Sequence, residues 1–351
     1  SQEGYPKPMR SLLCLLVAFS GLCTLLQESP ERLEYAKRVE IERRLAKQAG
    51  LPLTHNDLPK LPYPPSQNAL IVLKQIEKLS RNKQVITPQD SGCLTIDMPT
   101  KYPSQTSIAY ARGAIVRTKP MYDLIDKFLA CPYYQKAINW SKTEGGVIDA
   151  WGLMEGNGTL RTLSRWLDGK SKLLVADGKY VEAIHNEAKG LRLAHLAEAV
   201  YPSLTDWYVA EAIRQMALAG ITQILEEYGT KPNVATAVAE ALEKAPPPAP
   251  LSHVVPMETL QALTYLHFIR EQTMKEKVPQ KFLDSIAYEG KAEWVKYGYP
   301  TDVKLRVQRL TDAGECIALA RMRLLYQYYS LPYYKAKQKN ITSNYEAKRT
   351  P

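Results

Sequence analysis

The sequence predicts an all-α protein of stacked antiparallel helical hairpins, with a hydrophobic helix at its N-terminus. Three observations carry that expectation. From Thr159 to Tyr228, apolar residues recur at three- and four-residue spacing through three successive segments, the longest such run in the chain. Asp177–Gly178 and Tyr201–Pro202 punctuate those segments, as glycine turns and proline breaks do. Ser11 to Gln27 carries no charge and is mostly Leu, Val, Ala, Phe and Cys.

Taken in order, residues 1–29 read as a transmembrane anchor or an uncleaved signal. Leu12, Leu13, Leu15, Leu16, Val17, Phe19, Leu22, Leu25 and Leu26 supply its greasy surface, and Lys7 and Arg10 precede it. A helix of that length spans roughly 26 Å at ~1.5 Å per residue, against a hydrocarbon core of about 30 Å. The competing reading is a secretory signal peptide starting at Met9, with Ala18 and Ser20 as small residues before a cleavage point. Either reading points away from a free cytosolic enzyme; basic residues on both sides of the segment leave the orientation split, and the body is expected outside the cytoplasm because the same pattern reads as an export signal.

Residues 30–65 read as a charged helix followed by a proline-rich spacer. Leu33, Ala36, Val39 and Leu45 recur at helical spacing among Glu and Arg pairs, Gly50 stops the helix, and Pro52, Pro59, Pro62, Pro64 and Pro65 favour extended backbone. A helical-hairpin domain is expected over 66–245. Its first helix carries Ala69, Val72, Ile76 and Leu79, and a second runs from about Gln105 to Val116. Thr118 is placed to cap a third, with Pro120 in its first turn and Cys131-Pro132 after its end. Between Tyr133 and Gly158 no period is visible, which predicts an irregular packed loop.

The three central helices follow. Leu160, Leu163, Leu167 and Leu174 share one face, flanked by Trp166 and Leu173. Tyr180, Ala183, Ile184, Ala188 and Leu191 form a second stripe, and Ser203 with Asp206 has capping-box spacing ahead of Trp207, Ile213, Met216, Ala217, Gly220, Ile221, Ile224 and Leu225. Ala217 and Gly220 are small enough to admit another helix closely. Asn233 to Lys244 is an Ala-rich helix, and the proline-rich linker 246–256 closes the domain. Residues 257–330 hold the C-terminal helices, about Met257 to Lys277 and Thr301 to Tyr328. A basic, Tyr-rich tail occupies 331–351.

The turn DGKYVEAI, with Gly178, Tyr180 and Ala183, resembles the entry to the second helix of a tetratricopeptide repeat: a glycine turn, an aromatic wedge and a small packing residue. The pattern departs at Glu187, where that repeat carries a bulky group, and no second copy recurs at its period. The resemblance implies an α-solenoid-like stack. Over about residues 10 to 330, the hydrophobic leader, the AGLP junction at Ala49–Pro52, the DGKYVEA hairpin and the Ala-rich helix also resemble uncharacterised bacterial envelope proteins. That likeness implies location and architecture, with no known activity.

Apolar content of 45% with 23% charged residues is that of a folded chain, so disorder is excluded for the bulk. The net charge of +10 is uneven: from Arg321 onward seven Lys or Arg face Glu346 alone. Five cysteines without paired spacing form no disulfide framework or zinc finger; Cys93 and Cys131 are close enough in sequence to bridge, and sequence leaves that open.

Glu182 and His185 have the Glu-x-x-His spacing of helical di-iron sites, and His195 precedes Glu198 by three, but no second Glu-x-x-His completes such a centre. Both histidines are expected to pair with glutamates, while His55, His253 and His267 stand alone. No nucleophile elbow, no phosphate-binding glycine loop and no activated cysteine is present, and Glu155–Thr159 reads as a turn. No catalytic residue, metal or cofactor is therefore expected.

The reading is a non-catalytic, membrane-anchored scaffold or accessory subunit that binds protein partners at the bacterial envelope. Arg321, Arg323, Tyr326, Tyr328, Tyr329, Tyr333, Tyr334, Lys335, Lys337 and Lys339 are its candidate docking residues. The first alternative is an anion-binding module, for a membrane surface or nucleic acid, using the same tail. The second is an envelope hydrolase whose carboxylate pair folding brings together.

Overall fold

The computed structural model describes residues 35–82, 87, 105–140, 143–144, 147–148, 152, 154–198, 200–274 and 303–330. In chain order its helices are α1 (Tyr35–Gln48), α2 (Ala69–Ser80), α3 (Gln105–Arg117), α4 (Lys119–Ala130), α5 (Asn157–Ala176), α6 (Tyr180–Glu198), α7 (Leu204–Tyr228), α8 (Val234–Lys244), α9 (Val255–Met274) and α10 (Val303–Tyr329). The protein is all-α. Its strands are two residues each, Thr143–Glu144 paired antiparallel with Val147–Ile148. Among the described residues no helix is long and apolar enough to cross a membrane. The predicted anchor lies outside them, as does the tail.

The chain divides into two compact units, 1–58 with 140–149 and 258–351, and 59–139 with 150–257. In the first, α1 packs along α10. Ala313, Cys316 and Leu319 turn inward from α10, and charged residues bind the helices together. Arg43 donates to Glu315 at 2.5 Å, Arg323 to Glu42 at 3.2 Å, and Arg270 on α9 to Thr311 at 3.1 Å and to Asp312. Helix α1 stops where the sequence predicts, at Gly50, whose φ of +85° suits a residue without a Cβ.

The second unit holds α2 to α8. Each of its central helices reverses on the last, because side chains pair in opposite order along them. The Ser171 hydroxyl reaches the Ala183 carbonyl at 3.3 Å, while Asn186, further along α6, reaches back to Leu167 at 2.7 Å. Between α6 and α7, Glu198 meets Arg214 near the turn, Gly190 lies against Ala217, and Glu187 lies against Gly220. The α5–α6 turn is set by Gly178 at φ +74°: its N–H goes to Val175 and that of Lys179 to Leu174, so two carbonyls that α5 would leave bare are satisfied. Ser203 and Asp206 form the expected capping box on α7.

Among the described residues the two larger apolar cores are these. Leu73, Ile76, Met121, Ile125, Phe128, Leu160, Leu163, Leu167, Leu193 and Leu196 join α2, α4 and α5 to the end of α6. Ala183, Ile184, Ala217, Ile221, Val234 and Val238 join the beginning of α6 to α7 and α8. Most of the stripe residues read from the sequence in this unit are buried; Val72, Leu79, Leu174, Tyr180, Ala188, Trp207 and Met216 are half-buried, and Leu225 is exposed.

Thr118 corrects the sequence reading. Its side chain does not cap α4; the hydroxyl donates back to the Ala114 carbonyl at 2.7 Å and is wholly buried. Thr118 keeps a near-helical backbone, φ −91° and ψ 10°, in place of the extended form of an N-cap, and its own N–H also goes to Ala114, so it continues α3 and its hydroxyl closes that helix instead.

Candidate functional site

Within the second unit, α4, α6 and α8 enclose a groove of about 500 Å³. Leu129, Ala188, Ala241, Ala245 and Pro246 give it apolar lining, and Asp126, His185, Lys189, Arg192, Glu240 and Lys244 bring polar and charged groups to it. Helical spacing explains the arrangement, since His185, Ala188, Lys189 and Arg192 fall on one stripe of α6 at intervals of three and four. Lys189 pairs with Asp126 on α4 at 2.5 Å, and Lys244 pairs with Glu240 one turn back at 3.2 Å. Arg192 donates to the carbonyls of Leu129 and Cys131 and so ties off the end of α4. Burial holds its pKa below the ordinary arginine value.

Three buried polar clusters lie in the same unit. In the first, Asp206 accepts from Lys136 at 2.5 Å, from Asn157 at 2.9 Å, and from the Ser203 N–H and hydroxyl. Burial pulls the Lys136 ammonium below its usual pKa, opposed by the Asp206 charge. Gly156 at φ +81° enters α5 beside it, where a Cβ would stand 2.6 Å from the Tyr134 hydroxyl. The segment that reads as a turn in the sequence therefore seats Asn157 in the interior. The cluster pins the irregular loop to the start of α7.

In the second cluster Glu187 is 2% exposed, and its carboxyl occupies the space that a side chain at Gly220 would fill, 2.6 Å from the position of a Cβ there. Burial pushes its pKa up to about 8, and the nearby Asp168 charge adds to the rise; Ser171 and Lys172 oppose it. At neutral pH it is a protonated carboxylic acid inside a helix crossing.

In the third, Glu198 is fully buried and accepts from Arg214 and, at 2.9 Å, from the Ala249 N–H; Arg214 also reaches Glu211 at 2.6 Å. The expected pairing of His195 with Glu198 is corrected here. Glu198 is spent on Arg214 and Ala249, while the His195 imidazole bonds to the Pro247 carbonyl. Burial and the charges of Arg192 and Arg214 lower the His195 pKa. Its neighbour in the Glu-x-x-His pattern, His185, is exposed along with Glu182. Among the described residues no group of three or more metal-ligating side chains comes together.

The candidate docking residues sit elsewhere, in the first unit. Arg321 is exposed on α10, Arg323 is turned to Glu42, and Tyr326 and Tyr329 are half-buried. Tyr328 lies in α10, and Tyr333, Tyr334, Lys335, Lys337 and Lys339 lie outside the described residues. The groove and the clusters are not visible in the sequence. A signal exists there for Glu187 alone, a charged residue inside an apolar stripe between Ile184 and Leu191. No family model, no curated protein and no solved structure matches the chain.

Proposed function

We propose that the protein is a non-catalytic scaffold or accessory subunit that binds a protein partner, held at a bacterial membrane by its N-terminal segment. The observation that carries the proposal is the α4–α6–α8 groove, with apolar lining between charged groups, the chemistry of a peptide- or helix-binding cleft. The buried ionisable groups support it from the other side. Lys136, Asp206 and Arg214 spend their bonds on the chain's own helices and loops, which is what structural groups do and what acid–base catalysts facing substrate do not. In this reading the antiparallel helices form a short tetratricopeptide-like stack, and the α6 stripe that lines the groove, exposed at His185 and half-buried at Ala188, Lys189 and Arg192, is the partner face.

The test reverses the groove's charge. Lys189→Glu with Lys244→Glu, in full-length protein extracted in mild detergent, is expected to lose a stoichiometric protein that accompanies the parent chain. An unchanged set of co-purifying proteins argues against the groove. Loss of all binding on adding salt, with lipid or nucleic acid as the released component, favours the anion-binding alternative through the basic tail.

A further inference from the structure

The stretch from Pro246 to Pro250 lies as a strap against α6 and α7. Its ends have the backbone of a polyproline II helix, φ −65° and ψ 129° at Ala245, φ −64° and ψ 149° at Pro250. Four of the five residues are prolines, so Ala249 has the only N–H between them. That N–H is taken by Glu198 at 2.9 Å. The strap's carbonyls are met as well: His195 bonds to Pro247, and the Trp207 indole donates to Ala249 over a long 3.5 Å. Alternate carbonyls met by ring N–H groups, beside a tryptophan, are the contacts by which proline-rich ligands are held.

The strap does not use all that the cleft offers. Glu198 is wholly buried, yet its Oε2 has no hydrogen-bond partner, and neither has His195 Nδ1. Arg214 and Ala249 both donate to Oε1, and the strap has no second N–H to bring to Oε2. Beyond the strap, Trp207 meets Tyr208 edge to face at 5.5 Å, and Tyr208 is 59% exposed, with Leu204 exposed one turn earlier. An aromatic ridge therefore continues past the part the strap covers. Pro247, Pro248 and Pro250 are themselves exposed on their outer side, so only the contacts named hold them down.

We propose that Trp207, His195 and Glu198 form a binding site for a proline-rich segment of a partner protein, occupied in this structure by the chain's own strap. The occupant has polyproline II backbone and more donors than the strap, at least one of them for Glu198 Oε2. The strap is a tethered competitor that the partner displaces. The inference rests on the reading of this unit as partner-binding; the strap's first residue, Pro246, borders the groove, but Trp207, His195 and Glu198 do not line it.

The test uses the full chain and a fluorescein-labelled peptide of sequence Ala-Pro-Pro-Arg-Ala-Pro-Leu, which repeats residues 245–251 with backbone and side-chain donors added in place of Pro248, followed by anisotropy. The strap is vacated in two ways: Ala249→Pro, which removes its N–H, and replacement of Pro247–Pro250 by Gly and Ser, which removes its stiffness and leaves the groove-lining Pro246 in place. Both are expected to bind the peptide at least tenfold more tightly than the parent. Trp207→Phe added to either is expected to reverse most of that gain. Lys189→Glu with Lys244→Glu leaves peptide binding unchanged, which separates this site from the groove. Peptide binding no tighter in either vacated form than in the parent would overturn the proposal. So would conversion of the parent to a strap-exchanged dimer that the peptide cannot dissociate, since the occupant would then be a second copy.

Discussion

Replacing Glu187 by Gln should change how the protein's stability depends on pH more than any other single substitution in the second unit. The carboxyl is 2% exposed and its pKa rises from 4.5 to about 8 on folding, because burial penalises the charge. A folded-state pKa above the unfolded one means the native state holds the proton better. The stabilisation from that proton is complete below pH 4.5 and is lost as pH rises through 8. A tenfold difference in proton affinity between the folded and unfolded chains is worth about 1.4 kcal/mol, so the whole loss is on the order of 5 kcal/mol, of which roughly 3 kcal/mol is gone by pH 7. Asp168, Ser171 and Lys172 on α5 set the remainder of its environment, and α7 brings Gly220 against it.

Glu187→Gln keeps the shape and removes the titration. Urea midpoints, read by hydrogen exchange at α6 amides between pH 4.5 and 8.5, are expected to fall more steeply in the parent than in the variant, which keeps the contributions of groups such as His195 and Glu198. Relative to their values at pH 4.5, the variant should be ahead by about 3 kcal/mol near neutrality. Parallel pH profiles for the two proteins would refute the placement of Glu187 in a closed crossing.

The other expectations come from the same packing. Arg214→Ala leaves the Glu198 carboxylate buried beside the Ala249 N–H alone, and is expected to cost about 3–5 kcal/mol in urea denaturation. Ser203→Ala removes one half of the capping box on α7 and should cost about 1 kcal/mol. Gly220→Ala puts a methyl group against the Glu187 carboxyl, so a double-mutant cycle with Glu187→Ala is expected to give a coupling of about 1 kcal/mol or more; additive losses would show that the two residues do not touch. Arg270→Ala strips Asp312 and Thr311 of a donor, and should loosen α10 in hydrogen exchange.

Most of the helices are legible in the sequence because their signals are local. Gly178 and the Ser203–Asp206 box lie within a few residues of the ends they fix, and Leu160, Leu163 and Leu167 repeat at the pitch of the helix they bury. The candidate sites are not, because their partners are distant along the chain. Lys136 meets Asp206 across 70 residues, Glu198 receives Ala249 across 51, and no periodicity connects such pairs. Glu187 shows the limit most clearly. Its position in the tetratricopeptide-like pattern marks it as inward-facing, but only the absence of a Cβ at Gly220, 33 residues on, makes room for a carboxyl there. Thr118 departs from its expected role for a local reason: its backbone stays near-helical and its N–H bonds to Ala114, so it ends α3 and does not take the extended form from which a hydroxyl caps the next helix.

Native mass spectrometry of the full-length chain, released from gentle detergent, tests the partner-binding claim most directly. The account predicts a complex of this chain with one other protein in fixed ratio, dissociated by the paired charge reversals at Lys189 and Lys244. A chain that flies alone from every extract that leaves its helices intact would contradict it.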